Sequence, residues 1–262
     1  GPVVHVSRYE AHELDQVIDA INAKGFGLTF GLHTRIDDRV QHILDRVHVG
    51  NIYVNRNQIG AVVGSQPFGG EGLSGTGPKA GGPHYVSRFL KKSGPRRTTA
   101  PSTPVSFDDL QAAINEHVRG WKQNVLSTDD LPGPTGESNR LSLFPRGLIL
   151  CVGPDKDSAE AQAKEAQAAG CIALAVVPGV KDGLDGTLDP AFLERLDGFD
   201  AVMCWGEDDL LRVYRMALAA RDGPILPLIC EQGERTRFLI ERHVCVDTTA
   251  SGGNTALLSA SG

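Results

Sequence analysis

The stretch GLILCVGPDKDSAEAQAKEAQAAGCIALAVVPG, residues 147–179, decides the fold of the second half of the chain. Its two apolar runs, 147–153 and 171–179, are short, continuous and bounded by glycine or proline, which is typical of buried strands. The alanine-rich segment 158–170 between them is predicted to be a helix that ends at a glycine. Because buried strands that alternate with helices form a parallel sheet covered on both faces, residues 106–241 are expected to fold as a Rossmann-like domain.

The remainder of this half repeats the alternation. An amphipathic helix is predicted for 107–124 and another helix for 207–221, and buried strands are predicted for 199–206 and 224–230. The proline- and glycine-rich stretch 131–139 predicts turns. We therefore expect an α/β domain built around a parallel sheet.

A separate α/β pattern precedes this one. Strands are predicted for 3–9, 28–34 and 50–56, and helices for 10–24, 36–47 and 84–90. The segment KKSGPRRTTAPSTPV, residues 91–105, is basic and rich in proline, serine and threonine, which indicates a solvated linker. The sequence thus predicts four parts, which are residues 1–90, the linker 91–105, the domain 106–241 and a terminal segment 242–262.

The composition excludes several classes of function. Hydrophobic residues make up 40% of the 262 residues, which is enough for a core. A formal net charge of −6 gives no electrostatic reason to expect a nucleic-acid partner. No apolar run is long enough to span a membrane, and no secretory signal is present. The eight histidines and five cysteines lack ligand spacing, so no metal site is expected, and the cysteines are interpreted as small buried residues of a reducing cytoplasm.

The glycine-rich loop NQIGAVVGSQPFGGEGLSGTGPKAGGPHY, residues 57–85, is the most informative segment for function. It contains Val62, Val63, Phe68 and Leu73, which a flexible linker would not need. Glycine lets a ligand or another backbone approach closely, and successive amides can form an anion-binding nest. The residues alone leave two interpretations open, a structural loop packed on the core or a binding loop.

Specific motifs in and before this loop favour binding. The run GNIYVN (50–55) followed by QPFGGEGLSGTG (66–77) strongly resembles the end of the catalytic domain of the aldehyde dehydrogenase superfamily. Gly1-Pro2-Val3 and GFGLTFGLHTRI (25–36) are similar to family segments that precede it. The resemblance covers residues 1–90 nearly continuously, so this part is expected to be the end of an aldehyde dehydrogenase catalytic domain.

One subfamily resembles the loop most closely. IGAVVGSQPFGG (59–70), followed by GTGPKAGGPHY (75–85), is similar to the glutamate-semialdehyde (pyrroline-5-carboxylate) dehydrogenases. The resemblance implies that the backbone amides of Gly60 and Ala61 anchor the α-carboxylate of the substrate and that Phe68 contacts the aldehyde chain. Glycine is expected at position 60 because a side chain would block the carboxylate and because a left-handed backbone would strain other residues. Phe68 is also compatible with an ordinary core aromatic.

The remaining chemistry of the family is expected outside this sequence. The family's nucleophilic cysteine, general-base glutamate and NAD-binding domain precede the matched segment, and none of the five cysteines lies in a Gly-Gln-x-Cys context. We therefore expect no catalytic, cofactor-binding or metal-binding residue in this chain. In the second half, VGPDKDSAEA (152–161) lacks the G-x-G-x-x-G pattern of a dinucleotide site, and Asp155 and Asp157 would repel a pyrophosphate. Asp157 or Ser158 is interpreted as a helix N-cap.

The second half carries a further resemblance. LPGPTGESNRLSLFPRG (131–147) and RHVCVDTTASGGNTALL (242–258) resemble the C-terminal extension of the long enzymes of the proline utilization A family, which join an FAD-dependent proline dehydrogenase to the semialdehyde dehydrogenase. The resemblance implies a non-catalytic extension whose terminal motif lies over a tunnel between the two active sites. Alternation in HVCVDT (243–248) predicts an added strand, and Leu257 and Leu258 give the segment apolar surface to bury.

The sequence therefore predicts a fragment of a proline-catabolic enzyme that oxidises L-glutamate-γ-semialdehyde to L-glutamate. NAD and FAD are expected in the longer enzyme, both bound outside this chain. Its expected partners are the rest of the polypeptide and further copies of itself. Peripheral attachment of the longer enzyme to the inner membrane is left open. The alternative is a non-catalytic binding or oligomerisation module with a degenerate aldehyde dehydrogenase scaffold.

Overall fold

The computed structural model describes residues 2–90, 94–98 and 102–249. Its α-helices are α1 Leu14–Asn22, α2 Asp37–Arg46, α3 Phe107–Val118, α4 Lys156–Ala168 and α5 Asp208–Ala219. Short 3-10 helices cover Ala11–Glu13, Val86–Phe89, Pro190–Glu194 and Arg235–Phe238. The strands are β1 Phe26–Gly27, β2 Thr29–Leu32, β3 Asn51–Val54, β4 Glu71–Gly72, β5 Ser127–Leu131, β6 Glu137–Pro145, β7 Leu148–Cys151, β8 Ile172–Val176, β9 Gly183–Leu184, β10 Ala201–Met203, β11 Leu228–Ile229 and β12 Leu239–Asp247.

The predicted parallel sheet is present in the second half. Its strand order is β11-β10-β7-β8-β9, and every pair is parallel. Leu150 and Leu174 pack on one face with Leu110 of α3 and Leu211 of α5, whereas Ile149 packs on the other face with alanines of α4. Because both faces are covered, continuous apolar runs suit these strands. The α/β class and the Rossmann-like character of this half are confirmed.

The turn that leads from β7 into α4 is closed by protein groups. Asp155, rather than the predicted Asp157 or Ser158, is the N-cap of α4, and its side chain accepts a hydrogen bond from the Ser158 amide at 2.8 Å. The buried Gln162 side chain bonds both the amide and the carbonyl of Gly153, at 3.1 and 2.7 Å. The Gln162 side chain therefore occupies the backbone groups at the turn where a dinucleotide-binding fold leaves its amides free for phosphate.

A second sheet joins the two halves of the chain. Its order is β2-β3-β12-β6-β5, with β2, β3 and β12 parallel and β12-β6-β5 antiparallel. His243 of β12 lies opposite Asn51 of β3 on one side and opposite Leu141 of β6 on the other. Val246 of β12 is buried in the same cluster as Ile18 of α1 and Ile43 of α2. The core of the first part is thus completed by a strand from the far end of the sequence.

This sheet corrects the predicted division of the chain. Residues 242–247 lie inside the central strand β12 and do not form a separate terminal segment. Within the predicted linker, residues 94–98 contact the second half of the chain: the Gly94 amide donates to the Cys230 carbonyl at 3.1 Å and the Arg97 amide donates to the Trp205 carbonyl at 3.3 Å, while residues 96–98 are exposed. The expected strand at HVCVDT is confirmed for the residues within β12. Leu257 and Leu258 lie outside the described residues.

Two local predictions are also wrong, and one strand was not predicted. Residues 3–9 form no strand, and Val4 and Val6 are 85% and 86% exposed, because no described strand pairs with this segment. The turns predicted for 131–139 end where β6 begins, at Glu137. The strand β5, which ends at Leu131, was not predicted, because its serine, threonine and aspartate residues have little strand propensity. In the described part of the chain, no helix is long and apolar enough to cross a membrane.

Candidate functional site

The glycine-rich loop leaves the mixed sheet at the carboxyl end of β3. All four residues of β3 are buried, and Asn55 then adopts a left-handed conformation with φ of 58°. Asparagine tolerates this conformation better than most residues, so the strand ends here and the chain turns outward. The Asn55 side chain accepts a hydrogen bond from the Thr34 amide at 2.9 Å, which fixes the turn beside the end of β2.

The two amides predicted to bind a carboxylate lie on a turn that Tyr53 of β3 supports through a hydrogen bond. The Tyr53 hydroxyl donates to the Gly60 carbonyl at 2.7 Å. The next residues close on themselves, since the Val62 amide donates to the Gln66 carbonyl at 3.1 Å and the Gln66 amide donates back at 2.8 Å. Among the described residues, neither the Gly60 nor the Ala61 amide donates a hydrogen bond to any group. Both donors are therefore available to an incoming anion.

One of the two reasons predicted for a glycine at position 60, a left-handed backbone, is wrong, and the structure shows a different steric reason. Gly60 is absent from the left-handed glycines, so backbone strain does not explain it. A Cβ there would lie 2.4 Å from the Gln66 Oε1 atom and 3.2 Å from the Arg56 Nη2 atom. The side chains of Gln66 and Arg56 thus occupy the space that any larger residue would need.

Phe68 lies on the same loop, two positions after Gln66. It is half-buried, and its backbone forms a two-bond bridge with Ala80 in which both hydrogen bonds measure 2.9 Å. The bridge fixes the backbone that carries the ring, and the residue remains partly accessible. Contact of this ring with an aldehyde chain remains a prediction, as does the binding of a carboxylate by Gly60 and Ala61.

A buried polar layer lies between the loop and strand β6. Glu137, the first residue of β6, accepts hydrogen bonds from Arg56 Nη1 at 2.5 Å, Gln66 Nε2 at 2.7 Å and Asn139 Nδ2 at 2.8 Å. Burial alone would raise the pKa of Glu137, but the hydrogen bonds from Asn139, Gln66 and Arg56 outweigh it and hold the pKa below its ordinary value. Glu137 is therefore a charged acceptor at neutral pH.

A buried lysine supports the part of the loop around residues 67–69. Lys79 is 1% exposed, and its ammonium group donates to Asn51 Oδ1 at 2.9 Å and to the Gly69 carbonyl. Asn51 also accepts from the Gly69 amide at 3.1 Å and donates to the Pro67 carbonyl at 2.8 Å. Burial lowers the pKa of Lys79 to about 7. These contacts fix the segment around Phe68 to the end of the mixed sheet.

Strand β12 fixes the end of the loop through Glu241. One carboxylate oxygen of Glu241 accepts from the Lys79 amide at 2.5 Å, and the other pairs with His84 Nδ1 at 2.6 Å. The hydrogen bond to Glu241 raises the pKa of His84 above its ordinary value. Sequence reasoning missed Lys79, Glu137 and Glu241. The one weak signal was a lysine inside an otherwise glycine-rich, apolar loop.

The cysteines are suited to packing. All five are buried and free. Burial raises the pKa of Cys204 to about 12 and that of Cys245 to about 11. A cysteine nucleophile reacts as the thiolate, so these thiols are inert at neutral pH. Within residues 2–90, 94–98 and 102–249, no group of His, Cys, Asp and Glu side chains could hold a metal ion.

Comparison with known proteins agrees with this geometry. Residues 1–93 match the model of the aldehyde dehydrogenase family. Over 99% of its length, the chain is 40% identical to the bifunctional protein PutA of Escherichia coli (strain K12), of which it spans 23%. It is 42% identical to the 1-pyrroline-5-carboxylate dehydrogenase of Bacillus licheniformis over 91 residues, which are 35% of this chain and 17% of that protein.

The fold of the chain is also similar to part of a solved PutA structure. The structure of Proline Utilization A (PutA) from Corynebacterium freiburgense matches 94% of this chain and 25% of that chain, with a TM-score of 0.59 and 25% identity. The resemblance predicted from the loop and from the second half is therefore confirmed. The chain spans about a quarter of the length of the PutA proteins that it matches.

Proposed function

We propose that this chain, whose first 93 residues match the aldehyde dehydrogenase family, is part of a longer PutA-type protein that oxidises L-glutamate-γ-semialdehyde to L-glutamate. In that protein, the loop 57–85 binds the α-carboxylate of the aldehyde. The observation that carries the proposal is the pair of unpartnered amides at Gly60 and Ala61, on a turn fixed by Tyr53 and Gln66. The likeness of 91 residues of this chain to a 1-pyrroline-5-carboxylate dehydrogenase supports this substrate.

The residues of this chain bind and orient the substrate. The amides of Gly60 and Ala61 donate to the carboxylate, and because it is charged each such hydrogen bond is stronger than a neutral one. The half-buried ring of Phe68 contacts the aliphatic chain and excludes water from it. Two anchors, one on the carboxylate and one on the aliphatic chain, hold the aldehyde carbon at a fixed position, which favours attack by a nucleophile positioned elsewhere in the longer protein.

The cofactors belong to other parts of the longer protein. NAD supplies the hydride acceptor for the aldehyde oxidation, and FAD the electron acceptor for a proline oxidation that we also propose for it. The strand-to-helix turn after β7 does not fit NAD, because Asp155 caps α4 and the Gln162 side chain hydrogen-bonds the amide and the carbonyl of Gly153. The catalytic nucleophile and the general base are likewise proposed to lie outside these 262 residues.

The second half has a structural role in this proposal. Its strands β6 and β12 supply the polar groups that support the loop, and its parallel sheet braces them. We further propose that the segment 242–262, of which residues 242–247 belong to β12, serves as a lid over a tunnel between two active sites. The longer protein is proposed to be a cytoplasmic homo-oligomer.

A second candidate is a non-catalytic binding module on an aldehyde dehydrogenase scaffold. The buried, high-pKa cysteines favour it for this chain taken alone. The intact turn with two free amides favours the enzyme, since a degenerate scaffold has no need to keep such a site.

Substrate selectivity tests the proposal. The purified full-length protein, supplied with NAD, should oxidise glutamate semialdehyde with a kcat/KM about 10- to 100-fold higher than that for butanal, which has no carboxylate to bind. The isolated chain of 262 residues should form no NADH with either aldehyde. NADH formation is measured by absorbance against a buffer blank. Equal kcat/KM values for the two aldehydes would contradict a carboxylate-binding loop.

A further inference from the structure

We propose that Glu137 is a positioning residue of the aldehyde site, which acts through Arg56 and Gln66 to hold Gly60 and Ala61 in place. This inference rests on the function proposed above and extends it to a residue in the second half of the chain. Glu137 lies 77 positions after Gly60 in the sequence, on a strand outside the part that matches the aldehyde dehydrogenase family.

The Glu137 carboxylate joins the two side chains that face Gly60. One oxygen accepts from Arg56 at 2.5 Å, and the other accepts from Gln66 at 2.7 Å and from Asn139 at 2.8 Å. The Glu137 and Arg56 side chains are 14% and 18% exposed, so solvent screens this pair only weakly. A charged acceptor with three donors fixes the orientation of each of them.

Arg56 and Gln66 transmit this orientation to Gly60. Gln66 Oε1 lies 2.4 Å, and Arg56 Nη2 3.2 Å, from the position that a Cβ of Gly60 would occupy, so both side chains lie directly against its backbone. The Arg56 guanidinium also lies over the ring of Tyr53, 5.7 Å from the centroid, and Tyr53 donates to the Gly60 carbonyl. Each of the three groups that fix Gly60 therefore either contacts Glu137 or contacts a residue that does.

The fold explains why this glutamate is in reach of the loop. Glu137 begins β6 opposite Asp247 of β12, and β12 pairs with β3, which leads into the loop. Arg56 Nη1 further donates to Cys245 Sγ of β12 at 2.9 Å. The second half thus reaches the substrate loop through a specific charged contact in addition to apolar packing.

The charge and the length of the Glu137 side chain both determine whether it can accept from its three donors. A glutamine at 137 presents one acceptor oxygen and an amide that is itself a donor, so it cannot receive Arg56, Gln66 and Asn139 together. Gln66 or Arg56 must then turn away, and the turn that carries the two amides loses its support. Aspartate keeps both acceptor oxygens and the charge but is one methylene shorter.

The test compares two aldehydes in the full-length protein. In Glu137→Gln we expect the KM for glutamate semialdehyde to rise about tenfold with kcat nearly unchanged, as for loss of one charge-assisted hydrogen bond, while kcat/KM for butanal stays at the wild-type value. Glu137→Asp should recover part of the KM. Glu160→Gln, at a partly exposed position on α4, is the matched control and should leave kcat and KM for both aldehydes unchanged. Equal losses for the two aldehydes in Glu137→Gln, or an unchanged KM for the semialdehyde, would overturn the inference.

A second variant covers the case in which Glu137→Gln does not fold. Gln66→Leu keeps Glu137 paired with Arg56 and should show the same selective rise in KM; unchanged selectivity in this variant also overturns the inference. Failure of the proposed function is distinguishable, because wild-type protein would then show no preference for the carboxylate-bearing aldehyde. If wild-type protein has the preference and both variants keep it, the positioning role alone is wrong.

Discussion

Replacing Gly60 with valine in the full-length protein should raise the KM for glutamate semialdehyde by about 10- to 100-fold, equivalent to roughly 1.5–3 kcal/mol of binding. The new Cβ would meet Gln66 Oε1 at 2.4 Å and Arg56 Nη2 at 3.2 Å, so either the turn shifts or both side chains leave their positions. In either case the amides of Gly60 and Ala61 lose their alignment with the carboxylate. Steady-state kinetics with the semialdehyde measure the change.

A glycine of the same loop provides the control. Gly64 is left-handed, with φ of 82°, and a Cβ there would meet no atom within 4 Å. Asparagine tolerates this conformation, so Gly64→Asn should leave the KM unchanged. If Gly60→Val behaves like Gly64→Asn, the loop does not belong to the substrate site.

Replacing Arg242 with alanine should lower the free energy of unfolding of the chain by about 3–5 kcal/mol, the usual cost of leaving a buried charge without its partner. Arg242 donates to both carboxylate oxygens of Glu71, at 3.1 and 2.9 Å, and the two side chains are 9% and 12% exposed. It also donates to Gln123 at 3.0 Å and lies over the ring of Phe144, 4.6 Å from the centroid. The variant loses these contacts together and leaves Glu71, which is 12% exposed, without its partner.

Urea denaturation measures this effect. Arg39→Ala is the matched control, because Arg39 is exposed on α2, where surface substitutions change stability by less than about 0.5 kcal/mol. A loss below about 1 kcal/mol for Arg242→Ala would mean that the ion pair between Arg242 and Glu71 contributes no more than a surface salt bridge.

The parallel sheet was predictable because its signal is local. Each of its strands β7 and β8 is a continuous apolar run beside a helix with glycine at its end, and no partner far along the chain is needed to recognise it. The helices were found for the same reason, with ends that differ by a few residues because the last turn of a helix depends on its cap.

The pairing of strands in the mixed sheet was not predictable, because the partners are far apart in the sequence. Strand β3 pairs with β12, which lies near the opposite end of the chain, and nothing in NIYV (51–54) specifies that partner. Strand β6 is polar on alternate positions, and its neighbour β5 is an exposed edge with two aspartates, so both have the composition of loops. The backbone contacts that Gly94 and Arg97 make with the second half, inside the predicted linker 91–105, could not be predicted for the same reason.

The residues of the candidate site likewise fall into those that a local motif predicts and those that depend on long-range pairing. The motif itself predicted Gly60, Ala61 and Phe68 as binding residues, since the resemblance to a known family lies within one contiguous loop. The supporting residues Glu137 and Glu241 lie on strands of the mixed sheet, and their roles depend on pairings that no local pattern encodes. The reason for a glycine at 60 was also beyond the sequence, because it depends on where the side chains of Arg56 and Gln66 lie.

The central claim is that the loop 57–85 binds the substrate carboxylate through the two free amides. A crystal structure of the full-length protein with L-glutamate, the proposed product, bound to it tests this claim directly. We expect the α-carboxylate oxygens to lie about 2.7–3.2 Å from the backbone nitrogens of Gly60 and Ala61, with the aliphatic chain against Phe68. A glutamate whose α-carboxylate lies beyond hydrogen-bond distance of both nitrogens would contradict the claim.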